Sequence, residues 1–179
     1  MKVTFVRTVG KPDRFYVVRA DGTEASSSFP SYGDALPHDL VHLVVEAGFE
    51  LRNGIWGRVA RGVDLEAVNA QANRKGGKVA EKYAGLGEDL AEVFVSEALA
   101  NASWWERTLS AAQRVEDIRA SCARFAVAMP VTVTPERSTR VQEVLERLGR
   151  RWRTLVPKGA IALELDPADP LKSFLALER

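Results

Sequence analysis

The chain has 179 residues, 46% of them hydrophobic, with 25 basic against 24 acidic side chains and a formal net charge of +1, enough apolar content for a single domain over residues 1–179. The balanced charge excludes the overall electrostatic signature of a nucleic-acid or anionic-membrane partner, and no apolar run approaches the roughly 20 residues of a membrane helix. Cys122 stands alone, which excludes an internal disulfide, and residues 1–10 lack the apolar run of a signal peptide, so the cytoplasm is the expected compartment.

Residues 2–9 alternate, with Val3, Phe5 and Arg7 on one face and Thr4, Val6 and Thr8 on the other, which is the period of a strand. Gly10, Lys11, Pro12 and Asp13 have turn chemistry, residues 14–20 are rich in aromatic and β-branched side chains, and Asp21-Gly22 signals a hairpin into residues 23–28. The segment from Phe29 to Asp34 reads as an ordered loop, with Tyr32 available to cover the histidines of the next helix.

Residues 37–49 read as a short, mostly buried helix holding both histidines of the chain. At about 100° per residue, His38, Asp39, His42 and Glu46 share one narrow arc, and Leu40, Val41, Leu43, Val44, Val45 and Ala47 wrap the rest. The polar stripe therefore meets water or lines a cavity. Pro37 suits the first helical position, Asp39 the positively polarised first turn, and Gly48 the end.

Beyond it, Gly54, Gly57 and Gly62 permit close backbone approach around Trp56, and Ile55 and Trp56 are expected to plug the core beside Phe49. Asp64 caps an expected helix through Asn73, and the glycine-punctuated basic segment 74–87 reads as a mobile surface loop. It is no phosphate loop, because Gly77-Lys78 is followed by Val79 rather than Ser or Thr. A long helical stretch then opens at Glu88 or Asp89. In it Ala91, Val95, Ala98, Ala102, Trp105, Leu109 and Ala112 recur at steps of four and three, a seam for another helix or a second copy of the chain. Val115, Ile118, Cys122 and Phe125 carry the spacing onward after a bend.

Residues 129–133 look extended. Thr134 and Pro135 start a helix running to about Leu155, with Val141, Val144, Leu145, Leu148, Trp152 and Leu155 inward and Arg147, Arg150, Arg151 and Arg153 outward. Glu136, Glu143 and Glu146 dilute those arginines, so a solvated face is expected rather than a nucleic-acid surface. Ile161, Leu163 and Leu165 alternate in a last strand over residues 160–166, returning to the N-terminal sheet, before Pro167 and Pro170 stiffen the exit. The fold class expected is α+β, a small antiparallel sheet from the N-terminal meander and the C-terminal strand, covered by helices on one side.

The chemistry resides in His38-Asp39-x-x-His42. Histidines four apart on a helix point the same way and can share one metal ion, zinc being the ion such a pair suits, with Glu46 one turn on as a third ligand. The pattern resembles the zincin His-Glu-x-x-His signature, but Asp39 stands where that signature has glutamate, one methylene shorter as a catalytic base. Leu36-Pro37-His38-Asp39-Leu40-Val41-His42, with Gly54-Ile55-Trp56-Gly57, also resembles a pattern of small bacterial proteins of uncharacterised activity, a likeness confined to residues 36–57 that implies no reaction. Two function classes emerge: a non-catalytic interaction module using the 91–112 seam or the exposed arginines, and a metal-dependent, hydrolase-like protein using His38 and His42.

Overall fold

A computed structural model of the protein describes residues 1–8, 10–30, 33–63, 88–106, 108–165 and 174. The expectations for Tyr32, for the 64–73 helix, for the basic segment 74–87 and for Pro167 and Pro170 lie outside these residues. Strands β1 (Lys2–Val6), β2 (Asp13–Val18), β3 (Glu24–Phe29) and β4 (Ala160–Glu164) form an antiparallel sheet in the order β3-β2-β1-β4. With helices packed against it, the fold is α+β, as the alternation predicts. No helix among the described residues is long and apolar enough to cross a membrane.

Register puts Val3 opposite Val17 and Leu163, and Phe5 opposite Phe15 and Ile161, so the inward residues of three strands form one apolar face. Tyr16 and Val18 point the other way and are exposed. Full burial of a side chain such as Phe5 stabilises by about 2 kcal/mol. Trp56 plugs this face, its ring centroid 5.9 Å from that of Phe5 and 5.2 Å from that of Phe15. The hairpin turn after β2 uses Gly22 at φ 83°, where an L side chain is strained.

Helix α1 (His38–Phe49) lies buried along most of its length. Pro37 is its N-cap residue with ψ 136°, one position before the expected place, and Gly48 does not end it. The helix closes at Glu50, in the left-handed region at φ 55°, because Phe49 is drawn into the core and carries the last turn past the glycine. Side chains from afar then satisfy its terminal carbonyls: Arg137 Nη1 donates to Gly48 O at 3.1 Å, and Thr132 Oγ1 to Phe49 O at 2.5 Å.

After α2 (Ile55–Ala60), helix α3 (Glu88–Ala100) runs into a π-helical turn, Asn101–Trp105. The expected continuous seam breaks here. The next helix is α4 (Ala111–Arg124), where Ser110 and Gln113 form a reciprocal capping box. The wider turn changes the register, so Trp104, not Trp105, is buried, with its ring beside Gly149. Trp105 is 48% exposed and Ala112 is also exposed. Cys122 packs in the core, as its stripe implies. Residues 129–133 are not a strand: Val131 and Thr132 make a turn, and Val131 is 94% exposed.

Helix α5 (Pro135–Thr154) begins as expected, with Thr134 Oγ1 accepting from the Arg137 N–H and Pro135 at its start. Its buried face contains Val141, Val144, Leu145, Leu148 and Trp152. Arg7, just past β1, donates to the Trp152 and Arg153 carbonyls at 2.9 and 3.0 Å, placing a cation on the negative end of this helix.

Candidate metal centre

Helix α1 lies against α3, and this contact turns the polar stripe inward instead of toward water. His42 has no exposed surface and Glu46 is nearly as buried, while His38 and Glu97 stand at the rim with about a third of each side chain exposed. Histidines one turn apart share a face, and their ring centroids are 4.5 Å apart. Glu97 of α3 completes a group whose three ligand atoms all lie within 4.8 Å of one another. Its Oε2 is 3.5 Å from His42 Nε2 and 3.9 Å from His38 Nε2. Two ligands on one tetrahedral zinc are about 3.3 Å apart, so the two Glu97 distances are within tenths of an ångström of what an ion needs, while the 4.8 Å bound on the whole set is wider.

Behind His42 runs a buried polar chain. His42 Nδ1 is 2.7 Å from Ser96 Oγ, and Ser96 Oγ donates to Glu46 Oε1 at 3.0 Å. The serine proton is committed to the carboxylate, so the hydroxyl accepts from Nδ1–H. In the neutral ring the lone pair then sits on Nε2, the atom facing His38 and Glu97. Nε2 is buried and makes no hydrogen bond, and its 3.5 Å approach to Glu97 is an ion-pair distance only. Glu97 is the charge this nitrogen faces, and it favours the protonated ring.

Glu46, expected as a third ligand, is turned elsewhere. Its Oε1 accepts from the Ile55 N–H at 2.8 Å, and its Oε2 from the N–H groups of Trp56 and Gly57 at 2.8 and 3.3 Å. It thus caps the first turn of α2 and anchors the relay to His42. Gly54 makes this possible, since a Cβ there would lie 2.3 Å from the Glu46 carboxyl carbon. Asp39, expected as the catalytic base, is half-buried in the first turn, and its carbonyl accepts from Trp56 Nε1 at 2.8 Å.

The protonation energetics are set by this packing. Burial pushes Glu46 up to about 7, against the pull of His42 and of its hydrogen-bond donors. Burial likewise raises Asp39. It also works against a charged His42, but Glu97, Glu46 and Asp39 outweigh it and hold that ring above the ordinary histidine value. His38 is lowered, first by burial and then by the neighbouring His42.

Sequence reasoning reached His38 and His42 but missed Ser96 and Glu97, which come from a helix distant in sequence. A signal existed: Ser96 and Glu97 are the polar interruption between Val95 and Ala98 in an otherwise apolar stretch of α3. No protein-family model, curated protein or solved structure matches the chain, so the reading of this centre rests on its own chemistry.

Proposed function

We propose that the protein is a metal-dependent, hydrolase-like protein that holds one divalent ion of the zinc kind between His38, His42 and Glu97. The observation that carries this reading is the buried His42 Nε2, without a hydrogen bond and aimed at two further ligand atoms. Its other ring nitrogen is held by a hydroxyl backed by a carboxylate, the outer support that metal-bound histidines regularly have. Three protein ligands leave a position for solvent, and zinc so bound supplies a water with a pKa of about 7 as nucleophile. In this reading Ser96 and Glu46 orient His42, Glu97 balances charge at the rim, and Asp39 is the candidate base.

Equilibrium dialysis against zinc tests it. Wild type should retain about one ion per chain, and His38→Ala and Glu97→Gln, both at the half-exposed rim, should lose it while staying folded. Ser96→Ala should keep the stoichiometry but bind roughly 10–100-fold more weakly. No zinc uptake by wild type, with His42→Ala costing only roughly the 1–3 kcal/mol of a lost buried hydrogen bond, would make the centre a structural feature. The alternative is an interaction module using the exposed Arg150, Arg151 and Arg153. The former seam supports it less, since Val95 and Ala102 are buried within the chain.

A further inference from the structure

We infer that the cavity between the first turn of α4 and the N-terminal half of α5 is a binding site for a small zwitterion, of which a free α-amino acid is the simplest, with Arg114 taking its anionic group. The cavity has a volume of about 230 Å³ and is lined from α4 by Ala111 and Arg114 and from α5 by Thr139, Gln142, Glu143 and Glu146. The four α5 residues fall at steps of three and one and three, so they share one face of that helix. The site has no residue in common with the metal centre.

The buried Arg114 carries the inference. It is only 3% exposed, yet the partners of its guanidinium are neutral: Nε donates to Ser138 Oγ at 3.0 Å and Nη1 to the Leu109 carbonyl. Among the described residues nothing accepts from Nη2, and no carboxylate forms an ion pair with the guanidinium. A charge withdrawn this far from water is costly unless an opposite charge meets it. Burial accordingly lowers the guanidinium from its ordinary value, and Glu146 opposes that only from the α5 side of the cavity. The two bonds to neutral oxygens fix the planar group and leave Nη2 for a carboxylate. Ser110 and Ala111 bring the positively polarised first turn of the 14-residue α4 to the same wall.

The facing wall has the opposite chemistry. Thr139 Oγ1 donates to the Pro135 carbonyl at 3.0 Å, so toward a ligand it is an acceptor, and the carboxylates of Glu143 and Glu146 are acceptors only. Gln142 Nε2 donates to Glu146 Oε1 at 3.3 Å and steadies that carboxylate. Exposed carboxylates attract weakly, so this wall orients the ligand while Arg114 holds it. A simple anion would meet the two carboxylates and a simple cation would meet Arg114, whereas a zwitterion satisfies both walls and leaves the net charge unchanged. Size narrows the class further. The volume is below the roughly 300 Å³ at which pockets for drug-sized ligands begin, which leaves out nucleotides and longer peptides.

The test is calorimetric titration of the full chain with L-alanine, acetate and ethylammonium, the last two carrying one charge each of the first. L-Alanine should bind saturably and at least about tenfold more tightly than either singly charged probe. The double variant Glu143→Gln/Glu146→Gln, at exposed positions, should lose about tenfold for L-alanine and bind acetate more tightly than wild type, because the acidic wall is gone. Arg114→Lys keeps the charge but loses the fork, and should weaken L-alanine and acetate alike by about tenfold. Should that buried substitution unfold the chain, the glutamine pair decides alone. L-Alanine binding no tighter than the singly charged probes, or unchanged in the glutamine pair, would overturn the inference and make Arg114 a structural residue of the α4–α5 contact. Zinc should alter none of these affinities, so a failed metal centre would leave this result standing.

Discussion

Glu46 joins three elements through one side chain. It sits on α1, receives the first N–H groups of α2 and takes the proton of Ser96 on α3. A carboxylate so placed makes stability depend on pH. Its carboxyl is raised from 4.5 to about 7 in the fold, so between those values the native state keeps a proton that the unfolded chain has released. The contribution is full below the unfolded pKa and lost as pH rises through the folded one, on the order of 3 kcal/mol. The raised His42 and Asp39 act with the same sign, and the lowered His38 opposes them. Urea unfolding of metal-free protein should therefore give lower stability at pH 8 than at pH 5, and Glu46→Gln should flatten the difference. Equal stability at both pH values in wild type would contradict this account of the buried carboxyl.

At the scale of elements, the short-range rules of sequence were legible and the long-range ones were not. Alternation located β1 and β4, aromatic and β-branched content β2 and the Asp21-Gly22 turn signal β3, and the Thr134-Pro135 start and inner face of α5 matched, because caps, turns and periodicity are local properties. The end of α1 was misplaced at Gly48 because Arg137 and Thr132, which satisfy its carbonyls, arrive from the far side of the fold. The long helix was overextended because small residues at steps of four and three do not reveal a π-turn, which moved Trp105 out of the seam and beside His38. Half of the centre was readable for the same reason: His38 and His42 are neighbours on one helix, whereas Ser96 and Glu97 join them only through packing. Glu46 shared their arc, yet the first N–H groups of α2 claimed its carboxylate. Gly54 is accordingly a position where one methyl group uncouples two helices. Gly54→Ala places a Cβ 2.3 to 2.7 Å from three Glu46 carboxylate atoms, and is expected to cost about 2 kcal/mol, measured by denaturant titration. A neutral effect would mean that the carboxylate moves aside at no cost.

For the molecule as a whole, the sheet ties distant parts of the chain together, since β4 pairs with β1 while β1, β2 and β3 succeed one another directly. Ile161 and Leu163 from β4 enter the same core as Val3 and Phe5. Ile161→Ala should cost roughly 2–5 kcal/mol, as expected for a fully buried isoleucine, with a lowered midpoint but an unchanged denaturant slope. A loss below half a kilocalorie per mole would show that the strand adds little to the core.

The same pairing sets a timetable. The β1–β2–β3 meander can close through short turns soon after synthesis, whereas Val3 must wait for Leu163, with nearly the whole chain between them. Contacts this remote in sequence slow folding. Until residues 160–164 leave the ribosome, one edge of β1 offers its backbone N–H and C=O groups to any passing strand. The nascent chain is thus most open to misjoining in the interval between making its first strand and its last, and a chaperone that shields strand edges would have its greatest effect there.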